Sequence, residues 1–265
     1  MDFHDRMAAV RRVIIKVGTS TLTYENGLLN LRLIDCLAKV ISDLRNRGME
    51  VVLVTSGAIG VGATALGFKE RPKEMREKQA AAAIGQAMLI QIYHKFFAEY
   101  NQRVAQVLLT KDDVKGEERR ENAINTFHTL LEFGVVPIVN ANDTVSTHEI
   151  DFSDNDRLSA YVAELVDADL LIILTDIDAF YDSNPKINGD AKRIGLVTKI
   201  TEEIFSMAGE SGSEFSVGGM ATKLYAAQIC EEANIDMSVI NGGTPELIYD
   251  ILEGKDIGTY FLFRK

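Results

Sequence analysis

The chain has 265 residues, a formal net charge of −11, two cysteines and four histidines. That length can bury roughly 70 to 75% of the unfolded surface with no disulfide or metal to staple it. The acidic balance argues against nucleic acid or an anionic membrane as partner, because both require a basic face. Cys36 and Cys230 fall in helical patterns without disulfide or metal spacing. No stretch approaches a membrane span, and the first twelve residues lack the apolar run of a signal peptide, so a cytoplasmic protein is expected.

Val13 to Val17 reads as a buried strand, interrupted by Lys16 and closed by a polar loop, Gly18-Thr19-Ser20. Leu31 to Arg47 has helical spacing with Gly48 as its stop. Val51 to Val54 is a second apolar strand, running into Thr55-Ser56-Gly57-Ala58-Ile59-Gly60-Val61-Gly62 as a glycine-rich turn. A long helix is predicted from about Arg71 to Tyr100, a strand over Val104 to Leu109, a helix over Glu117 to Phe133 and a strand over Val135 to Val139. The mixed charges from Lys111 to Arg120 read as a solvated lead-in, and Asn140 to Ile150 as a polar loop or small hairpin.

Next comes Ser153-Asp154-Asn155-Asp156, in which Ser153 or Asp154 caps a helix over Leu158 to Val166. Leu170 to Leu174 is the most apolar strand and ends in Thr175-Asp176. Turn signals fill Ile177 to Lys199. A short helix is predicted over Thr201 to Met207, a Gly/Ser loop over Gly209 to Gly219, a helix over Ala221 to Ala233 and a strand over Met237 to Ile240. Thr244-Pro245 begins a last helix, and Tyr260 to Phe263 closes the sheet.

Strands without alternation, each followed by a helix, predict an α/β fold: a mainly parallel central sheet with helices on both faces, a three-layer sandwich. Residues 1–265 form one domain, with lobes of about 1–155 and 156–265. In such sheets ligands bind beyond the carboxyl ends of the strands. There stand Lys16 to Ser20, Thr55 to Gly57, Thr110 to Asp112, Asn140 to Asp143, Thr175-Asp176 and Asn241 to Gly243.

The Gly57 to Gly62 run nearly matches a dinucleotide loop. It follows the second strand rather than the first, however, and no tyrosine has a lysine four residues on. It is either an anion-binding turn or a plain tight turn. Lys16 lies in a strand of Val and Ile, where an ammonium must snorkel out or reach a site. Lys223 sits one turn into a helix behind Gly218-Gly219, a cation where acids are normally favoured, which suggests a bound anion. The histidines have no ligand spacing; His148 alone lies in the polar Asn140 to Ile150 loop.

The segments IIKVGTSTLT, VVLVTSGAIGVG, KQAAAAIGQ, NANDTV, SDNDRLSA, LLTDIDAFYDSNP and VGGMATK, in this order, resemble the glutamate 5-kinases of the amino acid kinase family, from Val13 to Thr259. The resemblance implies ATP-dependent phosphorylation of the γ-carboxylate of L-glutamate, giving L-glutamyl 5-phosphate, the first step toward proline. It implies Lys16 and Lys223 as catalytic cations, oriented by Asp156. It places glutamate on Ser56, Gly57, Asp143, Asp154 and Asn155. It places ATP on Lys16, Gly18, Thr175, Asp176, Val217, Gly218, Gly219, Met220, Ala221, Thr222 and Lys223. Mg²⁺ is implied with ATP but without a dedicated carboxylate cage, so no protein metal ligands are expected.

A homo-oligomer, dimer or tetramer, and proline as feedback inhibitor are further expectations of the resemblance. The chain departs from the family's usual residues at Ala141, Ser153, Ala179, Phe180 and Val217, and a catalytic domain without the C-terminal PUA-type domain of many relatives is expected. The rival readings are a sibling kinase acting on another carboxylate, such as aspartate or N-acetylglutamate, and a sensor that kept the pocket without turnover.

Overall fold

The computed structural model describes residues 3–145, 154–183, 188–209 and 219–265. Helix α1 (Phe3–Ala8) leads into β1 (Arg12–Val17), the one-turn α2 (Thr19–Leu22) and α3 (Leu31–Asn46). Then follow β2 (Glu50–Val54), α4 (Ala58–Ala65), α5 (Met75–Glu99) and β3 (Arg103–Leu109). Next are α6 (Lys111–Lys115), α7 (Glu117–Glu132), β4 (Val135–Ala141), α8 (Asn155–Leu165) and β5 (Leu170–Thr175). The remainder is β6 (Phe180–Tyr181), β7 (Arg193–Ile194), β8 (Leu196–Val197), α9 (Glu202–Gly209), α10 (Met220–Glu232), β9 (Asp236–Asn241), α11 (Leu247–Leu252) and β10 (Thr259–Phe261).

The main sheet has the order β3-β4-β2-β1-β5-β9-β10-β8, with β6 and β7 as a separate pair. Its neighbours are parallel except β10, which runs antiparallel to β9. Successive strand residues point to opposite faces. Ile14, Val52, Leu171 and Val239 pack with Leu158 and Val162 of α8, Phe127 of α7 and Leu224 of α10. Ile15, Val51, Ile172 and Ile138 pack on the other face with Leu37 of α3, Tyr93 of α5 and Ile251 of α11. Both faces are covered, which is why the strands read as continuous apolar runs, and the three-layer α/β expectation holds. Cys36 and Cys230 pack into these two layers as helix residues.

Several expected boundaries shift for physical reasons. The glycine-rich run is a turn only at Gly57 (φ +98°), after which α4 forms. Its glycines cost helix propensity, but tertiary packing outweighs that cost. A Cβ on Gly62 would stand 1.8 Å from Ala81 O, and one on Gly85 1.8 Å from Ala58 O, so α4 and α5 cross backbone to backbone. Helix α5 starts at Met75 rather than Arg71, and Gly18-Thr19-Ser20 is not a loop but runs into α2. The charged lead-in contains α6, closed by a reciprocal Thr110–Asp113 capping box. Ahead of α11, Leu247 and Ile248 bond back to Thr244 and Pro245, so the helix proper begins later than Thr244-Pro245 suggested. Strand β10 does not close the sheet; β8 lies outside it.

Candidate active site

The carboxyl ends of β1, β2, β4 and β5 meet the N-terminus of α8. Asp154 caps that helix, accepting from Asp156 N at 3.0 Å. Capping turns Asp156 inward, where its side chain is fully buried. Lys16 Nζ lies 2.5 Å from Asp156 Oδ1, and Lys223 Nζ lies 3.1 Å from Oδ2. Thr222 Oγ1 is 2.8 Å from the same Oδ2 and 2.7 Å from Gly219 O. The two lysines, more than two hundred residues apart in sequence, therefore converge on one carboxylate.

Burial alone would raise the Asp156 pKa, but the charges of Lys16 and Lys223 outweigh it and hold the carboxyl well below the usual carboxylate range. Asp154 moves the other way, because burial and then the neighbouring Asp156 charge raise its pKa. One firmly ionised acid thus faces two cations. Among the described residues, two ammonium groups share one ionised carboxylate at the rim. Gly18 lies beside this cluster: a Cβ there would stand 3.6 Å from Lys16 Nζ, an ordinary contact distance.

On the β2 and β4 side, Asn155 Nδ2 reaches Thr55 O at 2.9 Å, Ser56 Oγ at 2.8 Å and Asn140 Oδ1 at 3.0 Å. Ser56, Gly57 and Asn155 are thereby brought together beside the lysine cluster. Asp143 lies on the turn after β4; burial raises its carboxyl pKa to about 6, with the charge of Arg71 opposing.

On the β5 side, Thr175 Oγ1 donates to Asp176 Oδ1 at 3.1 Å, and Thr175 O accepts from Gly242 N at 2.7 Å. Gly219 is the N-cap of α10, with Met220, Ala221 and Thr222 in its first turn, one turn before Lys223. Val217, Gly218, Ser153 and His148 lie outside the described residues. Among the described residues, no group of three or more His, Cys, Asp or Glu side chains could hold a metal ion. Sequence reasoning overlooked Gln86 and Tyr93 of α5, which bond Asn140 and Thr55 from below. The available signal was a glutamine in the buried stripe of an Ala-rich helix.

A parallel α/β sheet with two lysines converging on one buried carboxylate puts a candidate small-molecule anion site at the carboxyl rim, where such folds bind ligands. Residues 11–241 match the amino acid kinase family, and the chain belongs to that family. It is 55% identical over 259 residues to glutamate 5-kinase of Clostridium perfringens (strain 13 / Type A), covering 96% of each chain. It is 53% identical to glutamate 5-kinase of Listeria monocytogenes serovar 1/2a, covering 96% of this chain and 94% of that one. Against glutamate 5-kinase of Thermoanaerobacter sp. (strain X514) it is 52% identical, and the match spans 95% of this chain but 68% of that longer protein. UMP kinase from Ureaplasma parvum shares the fold, with a TM-score of 0.67 at 18% identity over 96% of this chain and 99% of that one.

Proposed function

We propose that the chain is an ATP-dependent kinase that phosphorylates the γ-carboxylate of L-glutamate, giving L-glutamyl 5-phosphate for proline biosynthesis. The observation that carries the mechanism is the Lys16–Asp156–Lys223 cluster. Glutamate's side chain, with a pKa of about 4.3, is already ionised at pH 7, so no general base is required. The obstacle is an anion approaching a polyanion. Lys16 and Lys223 offset that repulsion and stabilise the charge on the migrating phosphoryl group, while Asp156 keeps both ammonium groups aimed at one point. Asp156 is too strongly ionised to serve as a proton donor.

In this reading the N-terminal lobe, about 1–155, seats glutamate. Asp143 and Asn155 take the amino acid head, Ser56 and the Gly57 turn offer donors to a carboxylate, and Asp154 borders them. The C-terminal lobe, about 156–265, seats ATP on Thr175, Asp176 and the 217–223 segment, with Lys16 and Gly18 reaching it from the other lobe. Mg²⁺ enters as part of the substrate Mg-ATP, held by phosphate oxygens and water.

The kinship with glutamate 5-kinases further supports a cytoplasmic homo-oligomer, dimer or tetramer, inhibited by proline. No described helix is long and apolar enough to cross a membrane. The test is ADP release with Mg-ATP against glutamate, aspartate, N-acetylglutamate and bicarbonate, with hydroxylamine to trap an acyl phosphate. Hydroxamate formed only with glutamate is expected. Turnover with another acceptor alone reassigns the substrate, and no turnover with any acceptor favours a sensor.

A further inference from the structure

Helix α5 places Gln86 and Tyr93 seven residues apart, hence on one face, beneath the glutamate side of the rim. Both belong to its buried stripe with Ala82, Leu89 and Phe97; Gln86 is 7% exposed and Tyr93 1%. Polar groups in such a stripe need partners, and theirs are the ends of two strands. Tyr93 OH shares a 2.7 Å hydrogen bond with Thr55 Oγ1, just beyond β2, and Gln86 Oε1 accepts from Asn140 Nδ2 of β4 at 2.8 Å.

Two backbone groups of fixed polarity identify which way these amides are turned. Ala141 N–H can only donate, and it donates to Asn140 Oδ1 at 2.9 Å. That leaves Asn140 Nδ2 as the donor to Gln86. Thr55 C=O can only accept, which makes Nδ2 the inward group of Asn155. Asn155 Oδ1 is then presented as an acceptor, and it is buried without a hydrogen-bond partner among the described residues. Such an acceptor is costly unless a ligand donor meets it.

We infer that Gln86 is a positioning residue for the amino acid substrate. By accepting from Asn140 it fixes that carboxamide, and through it the orientation in which Asn155 offers oxygen, not N–H, to the substrate ammonium. The inference rests on the glutamate-binding reading above. Without an acceptor at position 86, Asn140 Nδ2 is a buried donor with no partner. Rotating the amide to relieve it would set donor against donor at Asn155.

The test is steady-state kinetics of the full chain, varying glutamate and Mg-ATP separately. Gln86→Met keeps the volume and removes the acceptor, whereas Gln86→Glu keeps an accepting oxygen. Gln86→Met is expected to raise the KM for glutamate about tenfold or more, the range for losing a buried polar match, with the KM for ATP within about twofold. Gln86→Glu should regain most of the loss.

An unchanged glutamate KM in Gln86→Met, an equal rise in both KM values, or a Gln86→Glu variant no better than Gln86→Met overturns the inference. If circular dichroism shows Gln86→Met unfolded, Gln86→Ser carries the same comparison. No glutamate turnover by the unmodified chain overturns the functional reading and this inference with it. Normal turnover with an indifferent Gln86→Met overturns the inference alone.

Discussion

Two aspartates of this molecule look alike and behave differently. Asp156 and Asp236 are both fully buried, each is flanked by two cations, and each has its pKa held below the usual range against the opposing effect of burial. Asp236 opens β9 at the end of the sheet away from the rim. Its oxygens take Arg6 Nη2 at 2.5 Å, Arg6 Nε at 2.7 Å, Arg264 Nε at 2.9 Å and the backbone N–H of Phe263 and Arg264 at 2.8 and 3.0 Å. Planar guanidinium forks match a carboxylate, so those lone pairs are filled.

At the rim the cations are lysines, compact point charges whose donors outnumber the acceptor. The difference separates a closed ionic clasp from an open one. Saturation suits Asp236 to a structural role, whereas two lysines on one carboxylate suit the Asp156 cluster to the anion-binding role proposed above.

That contrast can be broken or sharpened by measurement. The largest effect is expected at the closed clasp. Asp236→Ala should cost about 3 to 5 kcal/mol, the range for stripping one partner from a buried pair, read as a fall in chemical-denaturation stability. The fraction still folded should keep its KM values. A loss below about 1 kcal/mol would mean that the arginines find water instead.

At the open clasp the currency changes. Lys16→Ala or Lys223→Ala should lower kcat by about 10²-fold or more, the order for removing one transition-state donor. Tm should move little, because Asp156 keeps the other lysine. A raised KM with normal kcat would demote the lysine to a binding group.

Acid separates the two regions again. The folded pKa of Asp236 lies below an unfolded value near 3.9. Its stabilisation is therefore complete above that value and is lost as pH falls through the folded pKa. Equilibrium unfolding followed below about pH 4 should steepen with Asp236 present and flatten in Asp236→Asn.

Asp143 titrates higher, at about 6, and in the proposed role it must be ionised to hold the substrate ammonium. The kcat/KM for glutamate is expected to fall about tenfold per pH unit below that value, and Asp143→Asn should erase this limb while raising KM. The smallest effect concerns the support of the rim. Gly62→Ala should cost about 1 to 3 kcal/mol as an overpacking change, because Ala81 O is backbone and cannot rotate aside.

Much of the rim was legible in sequence for a simple reason. Lys16 and Lys223 each break a local rule, as a cation in an apolar strand and a cation at a helix start, and Asp156 is an acid beyond the one needed to cap. The structure brings the three together. Strand ends were equally legible, since both sheet faces are buried and the apolar runs stop where the rim begins.

What could not be read depends on neighbours distant in sequence. Helix α4 hides in a run that looks like a loop, because only its crossing with α5 makes Gly62 an asset. The Asp236 shell joins residues 6, 236 and 264, and none of the three is locally odd. Gln86 reveals its role only once Asn140 is seen beside it.

The crossing at Gly62 and Gly85 has a mechanical consequence. With no side chains between them, α4 and α5 cannot slide or rock without main-chain collision. The Gly57 corner they carry is therefore a stiff anvil. Backbone amides of α4 should accordingly exchange with deuterium at the same slow rate with and without substrates.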